Sequence, residues 1–143
     1  MADRVFERQP FGTLSGSSFP VINAPSAASV SRYDICYSGG GQMQKESSSS
    51  AVRMRYVALQ SVDNDGDTGQ FVALTPDVVI VLRTSDTNTR NIGQEYDFDD
   101  ANQRIGTAAP TAGNMAVTVV SDYVEVDDDG YYYYPCVVHC PVF

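Results

Sequence analysis

Residues 115–126, MAVTVVSDYVEV, and residues 131–138, YYYYPCVV, flank the turn Asp127-Asp128-Asp129-Gly130. β-Branched and aromatic side chains suit a pleated strand, and Asp-Gly is turn chemistry, so the stretch reads as a β-hairpin. Strict alternation would place Val120, Val124 and Val126 on one face with Tyr131, Tyr133 and Val137. Val119, Tyr123 and Glu125 would share the other with Tyr132, Tyr134 and Cys136. Both faces carry apolar mass, so neither reads as simply solvated. Pro135 has no amide hydrogen, which favours an edge position for the second strand.

Working outward, residues 78–83 (VVIVLR) form an unbroken aliphatic run, the signature of a strand buried on both faces. Residues 52–62 (VRMRYVALQSV) and 70–75 (QFVALT) flank DNDGDTG at 63–69, a second hairpin. In its first strand Val52, Met54 and Tyr56 point one way and Arg53 and Arg55 the other. Residues 32–37 (RYDICY) suit a short strand. Residues 38–51 (SGGGQMQKESSSSA) have a flexible-linker composition and are expected to be a mobile loop. Their three glycines lack the spacing of a phosphate-binding loop. Residues 97–105 (DFDDANQRI) offer one helical turn, with Asp as N-cap and Gly106 as terminator. No segment sustains a helical period. Many short strands between Gly/Pro turns imply an all-β fold, an antiparallel sandwich or barrel with little helix.

Residues 1–30 read as an extended N-terminal arm preceding a single β domain at 31–143. Pro10, Pro20 and Pro25 discourage helix. Phe6, Phe11, Leu14, Phe19, Val21 and Ile22 supply more apolar anchors than a solvated linker needs. Such an arm lies either over its own sheet or on a neighbouring subunit.

The chain has 143 residues and a formal net charge of −9, enough length for one domain with a real core. Nucleic-acid binding normally requires a basic patch, and the eight arginines and single lysine form no stripe, so no nucleic-acid partner is expected. An acidic shell equally opposes an anionic membrane surface, and no membrane partner is expected. The first ten residues, MADRVFERQP, show no apolar leader segment, and free thiols in a reducing cytosol are expected. Interfaces favour Arg, Tyr and Phe and are poor in Lys, while free monomers often guard edge strands with Lys. Nine Tyr, six Phe and one Lys therefore read as a surface weakly defended against pairing.

Five constellations bear on chemistry. Asp63, Asp65 and Asp67 alternate as calcium ligands do, but Thr68 stands where an EF-hand loop needs Gly, and Leu74 where it needs Glu. They form a weak metal candidate, with a solvated hairpin turn as the competing reading. Asp127–Asp129 reads as solvated turn chemistry. Cys36, Cys136, His139 and Cys140 have the composition of a zinc site but not its spacing. His139 is the sole histidine, so any Ser-His or Cys-His mechanism would need it, and it stands close to the chain end. Tyr131, Tyr132, Tyr133 and Tyr134 must divide two to each strand face, one pair internal and the other at an interface or under the arm. No cofactor and no catalytic residues are expected.

In plan the chain resembles the small β-rich accessory proteins of virus particles, especially the capsid decoration proteins of tailed phages. The resemblance lies in the Pro-punctuated arm, the acidic β domain, the scarcity of Lys and the lack of catalytic machinery. It implies a virion structural protein on the outer surface of the particle, made in the host cytoplasm. Its partners would be a major capsid protein and further copies of itself as a homo-oligomer. The expected interface residues are Phe6, Phe11, Phe19 and Tyr131–Tyr134. The alternatives are a soluble ligand-binding or adhesion module using loops at 38–51 and 85–114, and a small carboxylate-dependent β-fold enzyme.

Overall fold

The computed structural model describes residues 5–141. It contains strands and turns and no helix among those residues, arranged as two antiparallel sheets in a sandwich. The strands are β1 (Pro10–Thr13), β2 (Val21–Pro25), β3 (Ile35–Gly39), β4 (Gln42–Lys45), β5 (Tyr56–Ala58) and β6 (Thr68–Ala73). They continue as β7 (Val78–Arg83), β8 (Glu95–Asp99), β9 (Arg104–Ile105), β10 (Ala116–Val119), β11 (Glu125–Val126) and β12 (Tyr132–His139). The larger sheet runs β1-β7-β12-β10-β8-β9, with β11 also on β12; the smaller runs β2-β6-β5-β3-β4.

The main core lies between the sheets. Val78, Ile80 and Leu82 of β7, Tyr134, Cys136 and Val138 of β12, and Val117 and Val119 of β10 meet Ile35, Val57 and Val72 of the smaller sheet. The aliphatic run at 78–83 is buried on both faces, as its composition requires: Val79 and Val81, on the outward face, are as hidden as their neighbours. A second cluster of Val30, Cys36, Met43, Ala58 and Phe71 fills the other face of the smaller sheet. There the sheet curls until Ser26, just beyond β2, bridges Met43 of β4. The larger sheet closes similarly where Thr84, just beyond β7, bridges Ile105 of β9.

Four local readings of the sequence are corrected. First, β12 is interior, not an edge: Pro135 pairs with Val81, and β10 lies on the other side. The proline is tolerated because β10 ends at Val119; Val120 donates its amide to the Pro135 carbonyl and the chain then leaves the ladder. Second, that departure shifts the register. Val119 lies opposite Cys136, but Glu125 lies opposite Tyr133 and Val126 opposite Tyr132. An odd number of extra residues reverses the faces, so Val126 sits with Tyr132 and not with Tyr133.

Third, residues 97–105 form the β8–β9 hairpin, Phe98 opposite Ile105 and Asp99 opposite Arg104. Phe98 and Ile105 bury themselves in the core, and that gain exceeds the weak local preference for a helical turn. Fourth, residues 38–51 are not a free loop. Gly40 and Gly41 take left-handed backbone (φ +64° and +84°) in a two-residue turn joining β3 to β4. The serines beyond are tied down: Ser49 donates its amide and hydroxyl to Asp100, and Met115 donates its amide to the Ser49 carbonyl.

Residues 5–30 do not leave the domain as an arm: β1 pairs with β7 and β2 with β6, one in each sheet. The hairpin read at 52–75 is present, Tyr56 opposite Ala73 and Ala58 opposite Phe71. Its buried face is the arginine face. Arg55 is fully buried beside Val57, whereas Val52 and Met54 are exposed. The reason is Glu46, equally buried, which accepts hydrogen bonds from Arg53 and Arg55.

Gly106 donates its amide to the Asp97 carbonyl, and a Cβ there would lie 1.9 Å from Asp97 Oδ1 and 2.7 Å from Asp97 O. A backbone oxygen cannot swing aside as a side-chain tip can. Gly106→Ala is therefore expected to destabilise the domain by about 1–3 kcal/mol, read as a lower urea midpoint at unchanged slope.

Candidate interaction surface

The aromatic residues singled out in the sequence divide sharply. Tyr132 and Tyr134 face the core, with Tyr123 packed edge-on against both at 5.0 and 6.0 Å between ring centroids. The Tyr134 hydroxyl accepts the amide of Arg90, a buried arginine that also holds the carbonyls of Gly106 and Ile105. Tyr133, on the outer face, donates to Asp127, and Tyr131 lies beneath the Arg83 guanidinium, 3.9 Å from its ring centre. All four tyrosines thus find partners within the protomer. Phe19 packs against the core. Phe6 and Phe11 do not bury themselves, standing 54% and 52% exposed.

Phe6 belongs to a charged corner. Glu7 accepts from Arg104 at 2.9 Å, and Arg83 donates to Asp127 at 2.9 Å. Arg8, adjacent, donates to the Tyr33 carbonyl. Against the rise its desolvation would cause, hydrogen bonds from the Tyr131 amide, Arg83 and the Asp129 amide, with the Arg83 charge, hold the Asp127 carboxyl below the usual carboxylate range. Positive and negative groups are matched here, and the corner is a clamp on the N-terminal segment.

Phe11 belongs to an uncharged groove on the outer face of the larger sheet. Phe11, Leu14, Val79, Val120 and Pro135 line it, with a volume of about 390 Å³. Leu14 is 61% exposed. In the smaller sheet β2 presents Val21 and Ile22, also exposed. β1 and β2 each stand at one end of their sheet's strand order, and both carry exposed large apolar side chains.

The edges themselves are better guarded than a single lysine suggests. Pro10 opens β1, and a bulge lies between Pro10 and Gly12. β2 runs between Pro20 and Pro25. β4 carries Lys45 and is closed by the Ser26 bridge, while β9 is two residues long. Proline, bulges and short strands all hinder strand addition. The expectation of weakly defended edges is corrected on this point: the exposed feature is a side-chain surface, and not a free ladder.

Asp63, Asp65 and Asp67 lie exposed in the β5–β6 connection. Asp65 accepts from Gln42 and Asp67 from Asn64. Among the described residues no three His, Cys, Asp or Glu side chains gather as metal ligands do. The cysteines are free and far apart in role: Cys36 in the outer cluster of the smaller sheet, Cys136 in the main core, Cys140 at its margin. Burial pushes the Cys36 thiol up to about 12 and Cys140 up to about 11. Protonated thiols are poor nucleophiles and poor metal ligands. His139 is exposed at the end of β12.

The sequence pointed to Phe11 and Leu14 but not to the groove around them, because Val79, Val120 and Pro135 join it only through the β1–β7–β12 pairing. No helix of the described residues is long and apolar enough to cross a membrane. No known protein family, curated protein or solved structure matches the chain.

Proposed function

We propose that this chain is a non-enzymatic structural subunit that binds other protein subunits, in the manner of a capsid decoration protein. The observation that carries the reading is the exposed apolar surface of the first two strands: Phe11 and Leu14 at one groove of the larger sheet, and Val21 and Ile22 on β2. Water contact with such side chains is unfavourable by roughly 25 cal/mol per Å², and association removes it. The net charge of −9 suits the outside of a particle rather than a nucleic-acid-facing surface. The role needs no cofactor, and its partners are a lattice-forming protein and further copies of this chain.

Sedimentation equilibrium over a wide concentration range tests the reading. The expected result is a species heavier than the protomer. Val21→Ser combined with Ile22→Ser is expected to shift it toward the protomer while leaving the circular dichroism spectrum unchanged. A strict monomer at every concentration overturns self-association, and with it the main support for an assembly role.

A further inference from the structure

We propose that the groove lined by Phe11, Leu14, Val79, Val120 and Pro135 receives an apolar side chain from a basic segment of a partner protein. The inference rests on the assembly reading above and names the partner's chemistry at one part of that surface.

Three observations define the occupant. The groove itself is uncharged: its remaining lining residues are Gly12, Thr13 and Ser121. Two acidic residues adjoin its lining residues. Asp77 holds the loop just after Leu14, accepting the Ser15 amide at 2.9 Å and its hydroxyl at 2.6 Å. Asp122 follows Ser121 directly and accepts the Tyr123 amide. The Ser15 hydrogen bonds, with those from Ser17 and Leu14, hold the Asp77 carboxyl below its ordinary range, so it is anionic at neutral pH. The described cations are committed elsewhere. Arg8, Arg83 and Arg104 sit in the clamp on the N-terminal segment, Arg53 and Arg55 bind Glu46, Arg90 is buried, Arg32 lies over Tyr33, and Lys45 faces Asp34.

An apolar slot with Asp77 and Asp122 next to its lining residues favours an apolar anchor flanked by Arg or Lys. A second copy in the same slot would set its own Asp77 and Asp122 against these, within a pair of molecules each carrying −9. Like charges so placed oppose binding and select against the wrong partner. Strand addition is opposed by Pro10 and the bulge beside it. The contact is therefore side chain into groove.

Fluorescence anisotropy with short labelled peptides provides the test. The probe is a six-residue amidated peptide with Phe-Leu at its centre and two basic residues on each side. One control replaces Phe-Leu with Ser-Ser; the other replaces the basic residues with Glu. Saturable binding of the first peptide is expected, at least tenfold tighter than either control and weakening with added salt. Phe11→Asp and Leu14→Asp should each weaken it at least tenfold, Asp122→Asn should reduce both affinity and salt dependence, and Val52→Asp, outside the groove, should change nothing. Circular dichroism checks that each variant folds.

Equal binding of the Ser-Ser peptide would reduce the effect to general charge attraction and overturn the proposal. So would equal binding of the acidic peptide, or indifference to Phe11→Asp. If Phe11→Asp abolishes self-association and no peptide binds, the groove's occupant is a second copy, and the proposal is wrong. Self-association that survives Phe11→Asp without peptide binding sinks the groove alone and leaves the assembly reading standing.

Discussion

Glu46→Ala is expected to cost the fold about 3–5 kcal/mol, the usual penalty for leaving one member of a buried ion pair alone. Arg55 is fully buried; its Nε donates to Glu46 Oε2 at 2.9 Å, and Arg53 Nε donates to the same oxygen at 2.8 Å. Removing the carboxylate strands the Arg55 charge at the margin of the core. The remaining Arg55 contacts, to the carbonyls of Arg53, Ser48 and Ala51, satisfy its N–H groups without neutralising it. Those same carbonyls make the common apolar swap unfavourable here. Replacing Glu46 and Arg55 together with Leu and Met would free three carbonyls of their shared donor, each worth about 1 kcal/mol. The double variant is expected to be less stable than the parent, unlike many buried pairs. Urea unfolding at pH 7 gives the measurement, and a loss below about 1 kcal/mol for Glu46→Ala would contradict the account.

The same carboxylate sets part of the acid response. Burial alone would raise the Glu46 carboxyl, but the Arg53 hydrogen bond, the Ser48 amide and the Arg55 charge together hold it below its ordinary value. A carboxyl held low in the folded chain binds protons more weakly there than in the unfolded chain. Its contribution is complete above the unfolded value of about 4.3 and is lost as pH falls through the folded one. The parent should therefore lose stability steeply below about pH 4, and Glu46→Ala should show a shallower slope. Asp127, held low despite its desolvation by the Tyr131 amide and Arg83, leaves some acid dependence in the variant.

How far the fold was legible depends on which forces decided each element. The aliphatic run at 78–83 and the hairpin at 52–75 follow from side-chain class alone, since burial of β-branched residues dominates there. Alternation at 52–57 is also correct; what it cannot reveal is which face is buried. That was decided by Glu46, seven to nine residues away and in a stretch whose serines suggested a loop. At 120–126 alternation fails because an odd number of residues departs from the ladder, and periodicity has no means of marking the point of departure. The candidate surface was half visible. Phe11 and Leu14 stand out as apolar residues in a proline-rich segment, but the tyrosine run, the more conspicuous signal, is satisfied within the protomer by Arg83, Arg90 and Asp127. Rich aromatic content marks a need for partners and does not say whether they lie in the same chain.

Gln103→Ala should cost about 3 kcal/mol, the sum of an orphaned buried amide and two lost hydrogen bonds. Gln103 sits in the β8–β9 turn of the larger sheet, fully buried, and its side chain crosses to the smaller one. Its Oε1 accepts the Ile35 amide at 2.9 Å, and its Nε2 donates to the carbonyls of Ile35 and Glu46 at 2.9 and 2.8 Å. The amide side chain thus acts as one unit of a missing strand at the point where β3 and the segment after β4 need both a donor and an acceptor. Three comparisons separate this role from mere space filling. Gln103→Leu, close in size, should be nearly as damaging as alanine, because the Ile35 amide is still left unpaired. Gln103→Glu should also fail at neutral pH, since two of the three contacts require a donor and a carboxylate has none. Gln103→Gly should fare better than alanine by about 1 kcal/mol, because position 103 holds a left-handed φ of +56° that glycine adopts without strain. Amide hydrogen exchange gives the sharpest readout. The Ile35 amide should lose protection in the alanine and leucine variants well beyond the global loss of stability, and unchanged local protection would show that the staple carries no load.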